Sequence, residues 1–323
     1  MIVSWNITKS CNLKCLHCCR DAGGVANKEL STGDGRRLLT ALAEAGFKIV
    51  IFSGGEPLLR EDIFLLIDYA RTIGLRPVLG TNGTLITTIV AEKLLAAGLA
   101  VVGISIDSLT PAKHDYLRQV SGAWDQAMHG IAACREVGLP FQLHTTVTTW
   151  NEAEITDITD LAVQLGAIAH HIFFLVPTGR GKDLAPFALK TDQYEVLLNR
   201  ILAKQSRVPI ELKPTCAPQF MRLVHQRQMT IRYRRGCLAG KAYCVVLPNG
   251  DVQPCAYLPV VAGNVLDQDF ITLWREGPIF KQLREARLRG ACGRCLYTKV
   301  CGGCRARAYY AVGDYMAADP LCQ

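Results

Sequence analysis

Three cysteines fall within eight residues near the start of the chain, Cys11-Asn12-Leu13-Lys14-Cys15-Leu16-His17-Cys18, spaced CxxxCxxC. Thiolates packed that closely are soft ligands, suited to an iron–sulfur cluster, zinc or copper(I). Three protein ligands leave one metal position open, and an open position is where a metal site does chemistry rather than scaffolding. A second group follows near the other end: Cys237, Cys244, Cys255, Cys292, Cys295, Cys301, Cys304 and Cys322. These are enough for two closed four-thiolate sites. A zinc ribbon on Cys292-x-x-Cys295 and Cys301-x-x-Cys304 is the simpler alternative, but it leaves the other four cysteines unexplained. Cys19, Cys134 and Cys216 read as packed free thiols.

The elements that must position these groups are legible from periodicity. Residues 32–170 repeat one phrase: amphipathic helix, glycine, apolar strand. Leu38, Leu39 and Leu42 precede Gly46 and the apolar run Phe47–Phe52; Ile63, Leu66, Ile67 and Ala70 precede Gly74 and Leu75–Leu79. Leu99–Ile106, Phe141–Val147 and His170–Val176 follow in the same way. Near-continuous apolar strands suit a parallel sheet covered by helices. Counting Ile2–Ile7, about six βα units predict an α/β fold, a partial (β/α)6 TIM-like barrel with its ligand site at the C-terminal ends of the strands. The polar phrases fall at those ends. They are the cysteine triplet, Ser53-Gly54-Gly55-Glu56-Pro57, Thr81-Asn82-Gly83, Ser105-Ile106-Asp107 and Pro177-Thr178-Gly179-Arg180-Gly181. A glycine pair lets backbone approach a ligand closely, and a carboxylate beside it can accept hydrogen bonds from an ammonium group.

The 323 residues are 50% hydrophobic and 20% charged, the balance of a folded globular chain. No apolar run reaches the roughly 18 residues of a membrane span, and the N-terminus lacks the pattern of a secretory signal. A cytoplasmic location is expected, where clustered cysteines point to metal more than to disulfides. The net charge of +8 fits a solvated basic surface or an anionic substrate. There is no lysine-rich tail and no aromatic-interleaved basic stripe, so nucleic acid is not an expected partner.

CxxxCxxC after the first strand, with Gly-Gly-Glu-Pro after the second, resembles the radical S-adenosylmethionine (SAM) superfamily. The resemblance implies that Cys11, Cys15 and Cys18 hold a 4Fe–4S cluster whose fourth iron binds SAM. It also implies that Gly54, Gly55 and Glu56 meet the methionine amino group, Ser105 and Arg118 lie near the ribose and carboxylate, and Leu175 and Val176 flank the adenine. The C-terminal order is Cys237, twelve residues, Gly250, four residues, Cys255, then CxxCx5C and a late cysteine. That order is similar to the SPASM extension of this superfamily, which implies two auxiliary 4Fe–4S clusters for electron transfer or for shaping the substrate pocket. By the resemblance, Cys237, Cys244, Cys255 and Cys304 hold the inner cluster and Cys292, Cys295, Cys301 and Cys322 the outer one. The chain then divides into a barrel (1–185), a bridging region (186–235) and the SPASM extension (236–323). One departure is that Cys301 and Cys304 are two residues apart where relatives often have three.

Several phrases are similar to enzymes that trim siroheme-derived tetrapyrroles in the alternative haem and haem d1 pathways. They include Ser4-Trp5-Asn6, Val176-Pro177-Thr178-Gly179-Arg180-Gly181, Thr215-Cys216-Ala217-Pro218 and Cys301-Gly302-Gly303-Cys304-Arg305-Ala306-Arg307-Ala308. The opening is more similar to the 12,18-didecarboxysiroheme deacetylases, which implies replacement of two acetate side chains by methyl groups to give iron-coproporphyrin III. The final haem decarboxylation step, a haem d1 step, or a SPASM peptide maturase are the alternatives. A polycarboxylate tetrapyrrole would be gripped by Arg180, Arg232, Arg234, Arg235, Arg305 and Arg307, with His17 in the cluster loop beside it. The chemistry implies a low-potential electron donor such as ferredoxin or flavodoxin. His144 reads as packing, and of His170 and His171 at most one faces the site.

Overall fold

The computed structural model describes residues 1–24 and 28–322. The repeated phrase becomes alternating strand and helix: β1 (Ile2–Thr8), α1 (Thr32–Glu44), β2 (Ile49–Gly54), α2 (Ile63–Thr72), β3 (Arg76–Thr81), α3 (Thr88–Ala96) and β4 (Val101–Ser105). Two helices, α4 (Pro111–Arg118) and α5 (Ala123–Glu136), precede β5 (Phe141–Val147), and α6 (Ile155–Leu165) leads to β6 (Ala169–Phe174). Then come α7 (Thr191–Gln205), β7 (Glu211–Thr215), α8 (Phe220–Gln226) and the strands β8 (Tyr243–Val246), β9 (Asp251–Gln253) and β10 (Gly263–Asn264). Four helices close the chain: α9 (Phe270–Glu276), α10 (Pro278–Glu285), α11 (Gly290–Arg294) and α12 (Arg305–Val312).

Among the described residues all ten strands join one sheet in the order β10-β9-β8-β1-β2-β3-β4-β5-β6-β7. From β8 to β7 every neighbour is parallel; β9 and β10 add antiparallel pairs at one edge. The sheet is an open, partial barrel, with β7 and β10 at its edges. One feature shifts the sequence expectation and one goes beyond it. The short strand expected over Val208–Leu212 forms three residues later as β7, which pairs with β6. The C-terminal extension is continuous with the barrel, because β8 pairs in parallel with β1, Ile2 opposite Tyr243 and Trp5 opposite Val246.

The core follows from the helical periodicity. Helix α1 starts at a reciprocal capping box between Ser31 and Asp34 and buries Gly35, Leu38, Leu39 and Leu42. Helix α6 ends at Gly166, whose φ of 82° is the left-handed position that turns the chain back to the sheet. Phe47, entering β2, meets Phe270 and Trp274 of α9 at ring-centroid distances of 5.6 and 5.1 Å, which fastens the C-terminal helices to the outside of the barrel. On β1, the fully buried Trp5 packs against Phe52 with centroids 5.9 Å apart. A Cβ on Gly35 would lie 2.4 Å from the Trp5 ring. Helix propensity alone would make Gly35→Ala stabilising by about 1 kcal/mol. We expect the reverse, a loss of about 1–3 kcal/mol from overpacking against a ring that cannot yield, measured by denaturant unfolding.

Candidate active site

The ends of β1 and β2 approach backbone to backbone. Gly55 N–H donates to Thr8 O at 2.8 Å and Glu56 N–H to Ser10 O at 2.8 Å. A Cβ on Gly55 would lie 2.0 Å from Ser10 O, and one on Gly54, whose φ is 137°, would lie 2.5 Å from Thr8 O. Only glycine fits either place. The Glu56 side chain is fully buried: Oε1 accepts from Thr81 Oγ1 (2.8 Å) and Leu58 N (3.1 Å), and Oε2 from Asn82 N (3.0 Å). Burial pushes its pKa up to about 7 against the pull of those donors. Glu56 is thus a strut between β2 and β3, its carboxylate engaged within the protein.

Cys11, Cys15 and Cys18 share one apolar pocket with Leu13 and Ala123. Leu13 N–H points to Cys11 Sγ and Ala22 N–H to Cys18 Sγ, each at 3.4 Å, and Arg118 Nη1 to Cys15 Sγ at 3.7 Å. The loop is seated on the end of α4: Leu16 N–H donates to Leu117 O (2.9 Å) and Lys14 N–H to Arg118 O (3.3 Å). The Arg118 guanidinium is paired with buried Asp107, Nη2 to Oδ2 at 2.7 Å and Nε to Oδ2 at 2.8 Å. Asp107 also accepts from Thr146 N, and Asn151 Nδ2 donates to its carbonyl. Burial alone would raise the Asp107 pKa, but Arg118, His17, His114 and the Thr146 N–H together outweigh it and hold the carboxyl at about 2. Arg118 therefore braces the cluster loop, with Asp107 on one side and Cys15 on the other. His17 Nε2 lies 3.8 Å from Asp107, and burial lowers its pKa to about 4, so the ring is neutral. Ser105 Oγ donates to Thr81 O at 3.4 Å. Leu175 and Val176 are buried just past β6, and Val176 packs with Leu258, Cys304 and Ala306.

The later cysteines divide by geometry. Cys292, Cys295, Cys301 and Cys322 line one cavity of about 120 Å³. Their sulfurs receive N–H groups from Asp319, Tyr297 and Gly303 at 3.4 Å, as clusters held by thiolates require. Cys237, Cys255 and Cys304 lie within electrostatic range of one another. Cys244 does not join them. It sits on β8 opposite Val3, fully buried in the main apolar core, and burial alone acts on its thiol. Side chains alternate along a strand, so with Tyr243 facing Cys255, Cys244 faces the other way. Cys216, read from sequence as a packed thiol, is the one in contact with Cys304. Among the described residues no group of three or more His, Cys, Asp or Glu side chains closes on a single-ion point.

A cavity of about 810 Å³ opens where barrel and extension meet, and Gly54 and Gly55 form part of its wall. None of the arginines expected to hold substrate is among its lining residues. Arg180 clamps the cluster loop through Cys15 O, Ala22 O and Asp21. Arg305 is buried on the carbonyls of Gly303, Tyr315 and Ala317, and Arg307 on Asp319. Arg232 pairs with Glu211 at 3.5 Å on the surface, where Arg234 and Arg235 also lie exposed. The cations that do line the cavity are Lys9, Arg20 and Lys28, with Asp21 and Asp267 among the other walls. Arg20 Nη1 donates to Gln253 Oε1 at 2.8 Å, while its Nη2 and the Asn6 Nδ2 are buried without a partner among the described residues. Cys19 lines the same cavity. His170 is bonded to Thr159 and Thr145, whereas His171 turns to the opposite face and stacks on His144 at 5.3 Å.

Residues 5–162 match the radical SAM superfamily and residues 237–304 match SPASM, an iron–sulfur cluster-binding domain. Over 99% of its length the chain is 42% identical to the AdoMet-dependent heme synthase of Methanosarcina barkeri, covering 95% of that protein. The chain belongs to the radical SAM superfamily. This radical SAM enzyme is also 41% identical over 99% of its length to the AdoMet-dependent heme synthase of Nitratidesulfovibrio vulgaris, 91% of which it covers. Against the Fe-coproporphyrin III synthase of M. barkeri identity is 30%, over 99% of this chain and 87% of that one. The crystal structure of Streptococcus suis SuiB bound to precursor peptide SuiA has the same fold, with a TM-score of 0.80 at 19% identity, covering 100% of this chain and 75% of that one. Iron–sulfur clusters and SAM are the cofactors of such an enzyme, and the donor set fits them: three thiolates in one pocket beside a glycine-only cradle, and further thiolates met by N–H donors.

Arg20 follows Cys18-Cys19 directly, so its place in the site was implied by the cysteine spacing although its open guanidinium nitrogen was not. The brace on the cluster loop gives a test. Asp107→Asn leaves a buried guanidinium without its counter-charge, and we expect a loss of about 3–5 kcal/mol in denaturant unfolding at neutral pH. Because the Asp107 pKa is lowered on folding, its contribution is present above the ordinary carboxylate range and is lost as pH falls towards about 2.

Proposed function

We propose that this radical SAM enzyme carries out the haem-forming step on iron-coproporphyrin III, removing the carboxylates of two propionate side chains to leave vinyl groups. The observation that carries the reading is the 810 Å³ cavity over Gly54 and Gly55, with Lys9, Arg20 and Lys28 in its wall and two buried donors, Arg20 Nη2 and Asn6 Nδ2, left without partners among the described residues. That volume lies within the roughly 300–1,000 Å³ of small-molecule sites, and buried unpaired donors are costly unless a ligand meets them. A tetrapyrrole with several carboxylates supplies the size and the acceptors. The haem-forming step is favoured over the acetate removal expected from sequence because similarity to the two heme synthases exceeds that to the Fe-coproporphyrin III synthase.

When bound, SAM and its cluster supply a 5′-deoxyadenosyl radical. For each side chain, one hydrogen atom leaves the carbon β to the carboxylate and the bond to the carboxylate carbon breaks. CO2 departs, and the vinyl group forms as one electron passes to a one-electron acceptor. The chain's own contribution is positional. Arg20 and Asn6 hold carboxylate oxygens, and Gly54 and Gly55 let the substrate approach main chain without a side chain between them.

Anaerobic incubation of the reconstituted protein with SAM, dithionite and iron-coproporphyrin III should give product masses reflecting stepwise loss of two carboxyl groups, one 5′-deoxyadenosine per loss. Turnover of 12,18-didecarboxysiroheme to iron-coproporphyrin III with no reaction on iron-coproporphyrin III would overturn the reading. Hydrogen bonds to charged groups contribute about 1.5–3 kcal/mol, so Arg20→Ala should weaken iron-coproporphyrin III binding roughly 10- to 100-fold, read by absorbance titration, with SAM binding unchanged.

A further inference from the structure

We infer that Cys216, not Cys244, is the fourth protein ligand of the inner auxiliary site, beside Cys237, Cys255 and Cys304. The inference rests on the iron–sulfur reading of the C-terminal extension and deepens it. Cys216 is the residue immediately after β7, at the same C-terminal edge of the sheet that presents the Cys11–Cys18 loop after β1. Its φ is +60°, a left-handed conformation that a residue with a Cβ adopts only when its surroundings impose it. The surroundings here are explicit: Arg307 Nη1 donates to the Cys216 carbonyl at 2.9 Å, and Arg307 is itself fixed by Asp319 Oδ1 and Oδ2, each at 2.7 Å.

Held this way, the Cys216 thiol is in hydrogen-bonding contact with Cys304 and within electrostatic range of Cys255, and Cys304 is within range of Cys237. Cys216, Cys255 and Cys304 share one apolar cluster with Val176 and Leu258. Backbone N–H groups reach the other sulfurs, Tyr257 to Cys255 at 3.5 Å and Arg305 and Ala239 to Cys237. Cys304 stands at the N-cap position of α12. Four thiols from four separate segments meet there, each with a polar or thiol neighbour. Cys244 has none of this and lies behind the strand.

The test compares Cys216→Ala and Cys244→Ala as full-length, anaerobically reconstituted protein, with iron and acid-labile sulfide counted and the dithionite-reduced EPR spectrum recorded. Wild type should hold about twelve irons, four per cluster. Cys216→Ala should lose about four of them, or keep them with one auxiliary signal changed, while the SAM-responsive signal persists as proof of folding. Cys244→Ala should match wild type in both readouts. If Cys216→Ala is insoluble, Cys216→Ser must show the altered auxiliary signal. A wild-type count and spectrum in the soluble Cys216 variant, or loss of the inner cluster in Cys244→Ala, overturns the assignment. A wild-type protein with only about four irons and bound zinc would instead overturn the cluster reading itself, so the two failures are distinguishable.

Discussion

The buried pair of Asp107 and Arg118 is the interaction on which the rest of the site depends. Each charge removed from water carries a penalty of several kcal/mol, and the pair repays it only in a geometry where every remaining hydrogen-bonding group is met. Here Asp107 is met by Arg118 and by Thr146 of β5, and Arg118 by Asp107 and by the sulfur of Cys15. The carbonyls of Leu117 and Arg118 accept the N–H groups of Leu16 and Lys14. Side chain and backbone of the α4 terminus therefore fix one register for the cysteine loop. A loop of three thiolates that repel one another when ionised needs such a template, and a single ion pair ties it to β4, α4 and β5 together.

The same economy shapes the other wall. The contact of Gly54 and Gly55 with the backbone of Thr8 and Ser10 leaves no room for a side chain, so the floor beneath the cavity is main chain, with Glu56 locking it to β3. The parallel pairing of β8 with β1 places the C-terminal extension over the same edge of the sheet. Cavity and inner thiols both arise from that continuity. Leu247, Pro248 and Asn249, at the turn after β8, face Thr8 and Lys9 across the cavity.

Much of this was legible in the sequence, and the misses share causes. Apolar runs placed β5 residue for residue, and the rule that ligand sites lie at strand ends singled out Cys11, Gly54 and Asp107. Charge did not carry that far. Arg305 and Arg307 read as substrate grips because a guanidinium that binds carboxylates and one that satisfies buried carbonyls look the same in a sequence. Cys244, a ligand by the resemblance, stands on the core-facing side of β8, which strand alternation decides and cysteine spacing does not show. Cys216, read as a packed thiol, stands directly after β7, a position that depends on where that strand ends.

A SAM-binding cluster site beside the auxiliary iron–sulfur sites of the C-terminal extension is the central feature of this molecule. It is tested most directly by titrating the dithionite-reduced protein with SAM under EPR. One signal should shift, the one that disappears in a Cys11→Ala, Cys15→Ala, Cys18→Ala variant, while the auxiliary signals stay where they are. A shift in an auxiliary signal, or a SAM response that survives loss of those three cysteines, would contradict it.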